Sequence, residues 1–162
     1  MTILGMSPLG FVHTALSLLA VVSGLIVVAG LLAARRLDVW TAIYLASAMA
    51  TTVTGFGFTG SFGVPHYVGI VALVFLLVAI LARYGLRLAG SWRPTYAVAA
   101  VLSVWSLVFF VVGEAFLRTP VLKAVAPTLT ELPFILTELA VLAFFVTLAV
   151  AAAMTFRQES TS

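Results

Sequence analysis

Long apolar runs, each closed by a short polar or basic connection, constrain this chain more than any motif does. A membrane-spanning helix needs about 20 mostly apolar residues, because the hydrocarbon is about 30 Å thick and each residue rises 1.5 Å. Five stretches meet that requirement, at 9–34, 39–58, 65–82, 94–117 and 134–156. None shows the alternation of a barrel strand, and lipid offers a backbone amide no partner, so each run must bond within itself as a helix. The expected fold is all-α: an integral membrane bundle of about five transmembrane helices forming one domain, 1–156, with a short polar tail, 157–162. The first run lacks a basic leader and no polar domain follows it, so it reads as a retained helix rather than a signal peptide.

Composition excludes several classes. Apolar residues make up 64% of the 162 residues and charged residues 8%, too little polar surface to wrap a water-soluble core. The natural partner is the lipid bilayer, with a homo-oligomer or a partner membrane subunit as further options. The net charge of +3 comes from cations scattered at the ends of the runs, with no basic patch interleaved with aromatics, so no nucleic acid is expected. The absence of cysteine removes disulfides and thiolate chemistry.

Arginines set the expected orientation. Arg35 and Arg36 follow the first run, Arg83, Arg87 and Arg93 lie between the third and fourth, and Arg157 follows the fifth, whereas the opposite side has only Arg118 and Lys123. The positive-inside rule then places the N-terminus outside and the C-terminus in the cytoplasm of a bacterial inner membrane. Trp40 and Trp92 stand beside the basic connections, where indole rings favour the interface.

The ionisable residues gather on the other side. The stretch GFGFTGSFGVPHYVG, from Gly55 to Gly69, forms the outer turn through Gly55, Gly57, Gly60 and Gly63 and starts the third helix at Pro65. His66 falls at the outer boundary, and His13 lies about one turn into the first helix. Sliding the chain by about fifty residues aligns HTALSLLAVV with HYVGIVALVF and WTAIY with WRPTY, the pattern of a duplicated helical hairpin plus one extra helix. Glu114, Glu131 and Glu138 are also outer. The candidate ligand-binding set is therefore His13, His66, Glu114 and Glu138, while the inner half looks inert. An ionisable group within a membrane helix is a functional hypothesis by default. The alternative is that the histidines bond loop carbonyls and the glutamates pair with Arg118 or Lys123.

Thr41, Tyr44, Ser47, Thr51 and Thr54 recur at steps of three and four and share one face of the second helix, as His13, Ser17, Ala20 and Gly24 do on the first. Helix packing through small and hydroxyl residues explains such a stripe, and a solvated pathway is the sharper alternative. At its inner end Asp38 is expected to be held by Arg35 or Arg36.

The segment VVGEAFLRTPVLKAVAPTLTELPF, 111–134, together with LGFVHTALSLLAVVSGLIVV, RLDVWTAIYLASAMATTVTGF and ARYGLRLAGSWRPTYAV, resembles a family of small, uncharacterised bacterial multi-pass membrane proteins. The resemblance covers nearly the whole chain and is most specific in the outer loop, at Phe116, Arg118, Pro120, Ala126, Pro127 and Thr128. It implies a membrane fold and no particular activity. Glutamine is usual in that family where this chain has Glu114 and Glu138, which implies hydrogen bonding rather than a proton relay there.

No P-loop, dinucleotide fingerprint, nucleophile elbow or metalloprotease helix is present, and no outer aspartate completes a Ser-His-Asp set. A non-catalytic binding or accessory membrane protein with a polar extracytoplasmic site is the first expectation. A small-solute or ion transporter is the second. The third is a single haem held by His13 and His66, or a divalent metal such as zinc held by those histidines with Glu114 and Glu138.

Overall fold

The computed structural model describes residues 7–57 and 63–158. Phe58 and Gly60 of the outer turn, and residues 159–162 of the tail, lie outside the described residues. Among the described residues six α-helices follow one another: α1 (Pro8–Leu32), α2 (Asp38–Gly55), α3 (Val64–Ile80), α4 (Trp92–Arg118), α5 (Pro120–Val125) and α6 (Leu132–Gln158). A π-helical turn, Leu81–Gly85, continues α3. No strand occurs among the described residues. Four of these helices, α1, α3 with its π-helical turn, α4 and α6, are long and apolar enough to cross a membrane. The second expected run, 39–58, corresponds to α2, an 18-residue helix whose hydroxyl stripe makes it more polar.

Local chemistry sets the helix ends. Ser7 caps α1 by accepting the Gly10 amide at 3.1 Å, with Pro8 in the first turn. Its other end stops two residues before the expected Ala34. There the Arg35 amide donates to the Gly30 carbonyl at 2.8 Å and the Ala34 amide to that of Leu31 at 3.1 Å, with Ala34 left-handed at φ 54. This is a Schellman closure, which satisfies carbonyls that the helix leaves unpaired. Helix α5, read from sequence as loop, begins on Pro120 after Thr119. At six residues it is too short to display a helical period.

The connections containing Arg35 and Arg36, and Arg83 to Arg93, share one end of the bundle, called here the basic end. The far end holds the α2–α3 turn and α5. Helix α4 is buried over a larger share of its length than α1, α3 or α6, so α4 is the central helix. It packs on α6, α3 and α1, while α2 packs along α1 and touches α3. Small side chains let these helices approach: Ala20, Ala48, Ala79, Ala97 and Ala152 are all at 0% exposure. Leu18, Val22, Leu77, Leu139 and Phe144 face outward, as lipid-facing positions require.

The closest approach is at Gly24. A Cβ there would lie 2.8 Å from Val104 Cγ2 and 2.9 Å from Tyr44 Cε2, so α1 reaches both α2 and α4 only because this residue has no side chain. Replacing Gly24 by Val is expected to cost about 1–3 kcal/mol through overpacking. Unfolding of the detergent-solubilised protein measures it, and unchanged stability would mean that the three helices do not meet there.

Candidate functional site

At the far end, α1 and α2 are joined by paired hydroxyls and a histidine. Ser17 Oγ donates to the His13 carbonyl at 2.8 Å, and Ser17 and Thr51 share a hydrogen bond of 2.5 Å. With the Ser17 proton so used, Thr51 is the donor of that pair. His13 Nδ1 lies 2.9 Å from Thr54 Oγ1. Thr54 spends its own proton on the Ala50 carbonyl at 2.7 Å, so His13 Nδ1 donates and the tautomer follows from the network.

His66 has a different task. Its Nδ1 accepts the Gly63 amide at 3.2 Å, capping the first turn of α3 in the role a glutamate or glutamine takes in a capping box. Its ring stands 5.8 Å from that of Phe56, which also covers Gly69. The His13 ring meanwhile lies against Gly55. Each histidine thus meets the last turn of α2 from its own helix.

The glutamates diverge from them. Glu114 pairs with Arg118 one turn on, at 2.5 Å, both well exposed, which is one of the two pairings considered for the acids. Glu131 turns back onto its own loop, accepting the Thr128 hydroxyl at 2.7 Å and the Thr130 amide at 3.0 Å. The Thr128 hydroxyl, followed by these amides, holds its carboxyl below the ordinary value. This loop closure is present above the ordinary carboxylate pKa and is lost as pH falls through the lowered one. Phe116, Ala126 and Phe134 pack below it as a small separate core, with the Phe116 and Phe134 rings 5.4 Å apart. Phe116, Ala126 and Thr128 of the outer-loop signature therefore build this loop.

Glu138 is the exception. It lies on α6 one turn beyond Phe134 and on the same face. It is 8% exposed, and neither carboxylate oxygen has a hydrogen-bond partner among the described residues. Among the described residues no three His, Asp or Glu side chains come close enough to hold a metal ion, so no three of His13, His66, Glu114 and Glu138 form a metal-ligand group.

Thr41, Tyr44, Ser47 and Thr51 are buried, and Thr54 is half-buried. Ser47 bonds back to the Ile43 carbonyl at 2.7 Å. Tyr44 reaches Ser103 on α4 at 2.5 Å, and Ser103 in turn donates to the Ala100 carbonyl at 2.8 Å, so the phenol is the donor. Tyr96, which the fifty-residue offset in the sequence aligns with Tyr44, points from α4 to Thr41 on α2 at 3.4 Å. The two tyrosines thus bond in opposite directions between the hairpins.

The basic end is not inert, contrary to the sequence reading. Asp38 is held by Arg83, not by Arg35 or Arg36. The Arg83 side chain is only 8% exposed, contacts the Tyr96 hydroxyl at 3.5 Å, and sits 5.7 Å and 5.4 Å from the Tyr84 and Tyr96 ring centres. From sequence, an arginine in a basic connection reads as a topology signal rather than as part of a site. The tyrosines on either side, Tyr84 and Tyr96, were the available clue.

No protein-family model, curated protein or solved structure matches the chain.

Arg83 combines a desolvated cation–π contact with directed hydrogen bonds, so Arg83→Gln is expected to cost about 2 kcal/mol. Arg83→Lys should recover only part, since an ammonium cannot serve these partners with a planar fork. Asp38→Asn, at an exposed partner, should cost under about 1 kcal/mol. Equal losses from all three in detergent unfolding would refute this ordering.

Proposed function

We propose that the chain is a non-catalytic binding or accessory protein of the bacterial inner membrane, with five spanning helices, the N-terminus outside and the C-terminus in the cytoplasm. Its extracytoplasmic half offers Glu138 to a cationic or hydrogen-bond-donating group of a small ligand, lipid headgroup or partner subunit. The observation that carries the reading is that a buried carboxylate lies in a long apolar helix with no donor among the described residues. Such a group is costly unless something supplies the missing bond, and buried polar groups are ordinarily satisfied.

Several features support the rest. At 1.5 Å per residue, α2 is about 27 Å long, close to the hydrocarbon thickness. Its polar face is turned into the bundle, while Val39 and Val53 point outward at 72% and 55% exposure. Five arginines, Arg35, Arg36, Arg83, Arg87 and Arg93, gather at the basic end, with Arg118 and Lys123 at the other, which favours a cytoplasmic basic end. The tyrosine exchange between hairpins fits a duplicated hairpin followed by one further helix.

A transporter is the rival. It ordinarily uses broken helices and unsatisfied polar groups at mid-depth. Here α1, α4 and α6 are continuous, the π-helical turn lies at the basic end of α3, and Tyr44, Ser47 and Ser103 are satisfied by one another or by backbone carbonyls. These features favour binding over transport. A haem or metal gains no comparable support, because the histidines serve α1–α2 pairing and α3 capping.

A binding residue held at a cost has a recognisable mutational signature. Glu138→Leu is expected to keep or raise stability, by up to about 2 kcal/mol, since it removes an unpaired buried acid. The same change should strip any co-purifying ligand or subunit that native mass spectrometry detects on the wild-type protein from gently solubilised membranes. A wild-type protein carrying nothing, together with a variant that loses stability, would sink the proposal. For orientation, a reporter active only in the periplasm should stay silent when fused to the C-terminus, and strong activity there would reverse the topology.

A further inference from the structure

The basic end carries a second feature, independent of Glu138. An open cleft between the α1–α2 and α3–α4 connections is lined by Arg36, Asp38, Arg83, Tyr84, Arg87 and Leu88. It holds about 240 Å³ of space, room for roughly eight waters and so for a group larger than a single ion. The charges do not balance. Three guanidinium groups face it with one carboxylate, and that carboxylate, Asp38, is already bonded to the buried Arg83. Arg36 and Arg87 are exposed, and neither forms an ion pair among the described residues.

The backbone that presents Arg87 is unusual. After the π-helical turn, Arg87 and Leu88 both adopt left-handed conformations, φ 49 and φ 56, which are unfavourable for residues with a side chain. The fold holds them there by burying Leu88 to 6% exposure and bonding its amide to the Ala82 carbonyl at 2.9 Å. Leu88 turns inward and Arg87 is carried to the cleft. Strain of this kind persists where the surroundings over-determine it.

The geometry points to this cleft as a binding site for a phosphate ester, gripped by the unpaired guanidinium groups of Arg36 and Arg87. Guanidinium forks match phosphate oxygens two at a time, and charge-assisted bonds of this type are stronger than neutral ones. Arg83, committed to Asp38 and Tyr96, positions the cleft rather than serving as its main anion ligand. The phosphate has two possible sources, the headgroup of an anionic phospholipid or a soluble phosphate. Basic pockets between membrane helices at this level suit lipid headgroups, and exposed Val39, Trp40, Leu81 and Tyr84 on the adjoining ends of α2 and α3 offer apolar surface for acyl chains.

The test uses the full chain in a neutral detergent and follows thermal unfolding with phosphatidylglycerol, phosphatidylcholine or inorganic phosphate. Phosphatidylglycerol is expected to raise the midpoint by several degrees, and the Arg36→Gln/Arg87→Gln protein should need at least tenfold more lipid for the same shift. Both side chains are exposed and without ion pairs among the described residues, so the variant should fold, and its midpoint without lipid checks this. Arg35→Gln, at the same end but outside the cleft, should change the lipid requirement less than twofold. If inorganic phosphate alone reproduces the shift, the phosphate site stands and its source is soluble; if only phosphatidylglycerol does, the site stands and its source is the membrane. No shift with any additive, an equal shift with phosphatidylcholine, or an Arg35→Gln effect as large as that of the double variant would overturn the proposal.

Discussion

Tyr44 is the residue on which the arrangement of helices depends. Its ring fills the space that Gly24 leaves open on α1, and its hydroxyl crosses to Ser103 on α4. Three helices are fixed at one side chain at 0% exposure. In lipid, apolar burial gives little drive for helices to associate, because acyl chains are as apolar as leucine, so close packing and interhelical hydrogen bonds must decide which faces meet. With α1, α2 and α4 set by this contact, α3 and α6 pack on the remaining faces of α4, and α4 becomes the central helix.

The other polar contacts divide by depth. At mid-depth each hydroxyl has a local partner: Ser23, Ser47, Ser103 and Ser106 all bond to carbonyls of their own helices. Such groups are quiet, adding packing without demanding anything from outside. Toward the far end His13, Ser17, Thr51 and Thr54 join α1 to α2 in a closed set. At the basic end Asp38, Arg83, Tyr96 and Thr41 tie α2 to the start of α4. Some groups depart from this economy among the described residues: Trp105 Nε1 and one Arg93 nitrogen are buried without a hydrogen-bond partner, Glu138 is an acceptor without a donor, and Arg36 and Arg87 are cations without an ion pair. Glu138 and the arginine pair lie at opposite ends of the bundle, so one chain presents a buried acid on one side and an open basic cleft on the other.

The Gly55 to Gly69 stretch has a structural explanation where it is described. Gly69 is small because the Phe56 ring lies 3.1 Å from where its Cβ would be, and Pro65 and His66 start α3, the proline by dispensing with an amide and the histidine by receiving one. His66 is thus a cap and His13 a tie between helices. Both roles use an imidazole nitrogen, and two histidines at one depth of neighbouring helices read from sequence as a ligand set.

The one-dimensional part of the fold is legible in the residue order. The runs that become α1, α3, α4 and α6 were legible within a few residues, because lipid requires self-satisfied apolar helices of a definite length. The helical period of Thr41, Tyr44, Ser47 and Thr51 marked the face that is buried, and the pairing of Glu114 with Arg118 follows from spacing along a helix. Which distant groups meet depends on how the helices pack. Asp38 finds Arg83, 45 residues away, rather than its neighbours Arg35 and Arg36, because the Schellman closure ends α1 before them and α3 delivers Arg83 beside the start of α2. Glu138 is left unpartnered, and the two histidines are separated in task, by which helix faces α4 and α2 turn toward them. Apolar runs carry their own length and period, but a helix in lipid has no preferred neighbour until side chains such as Gly24 and Tyr44 interlock, and that is settled only in three dimensions.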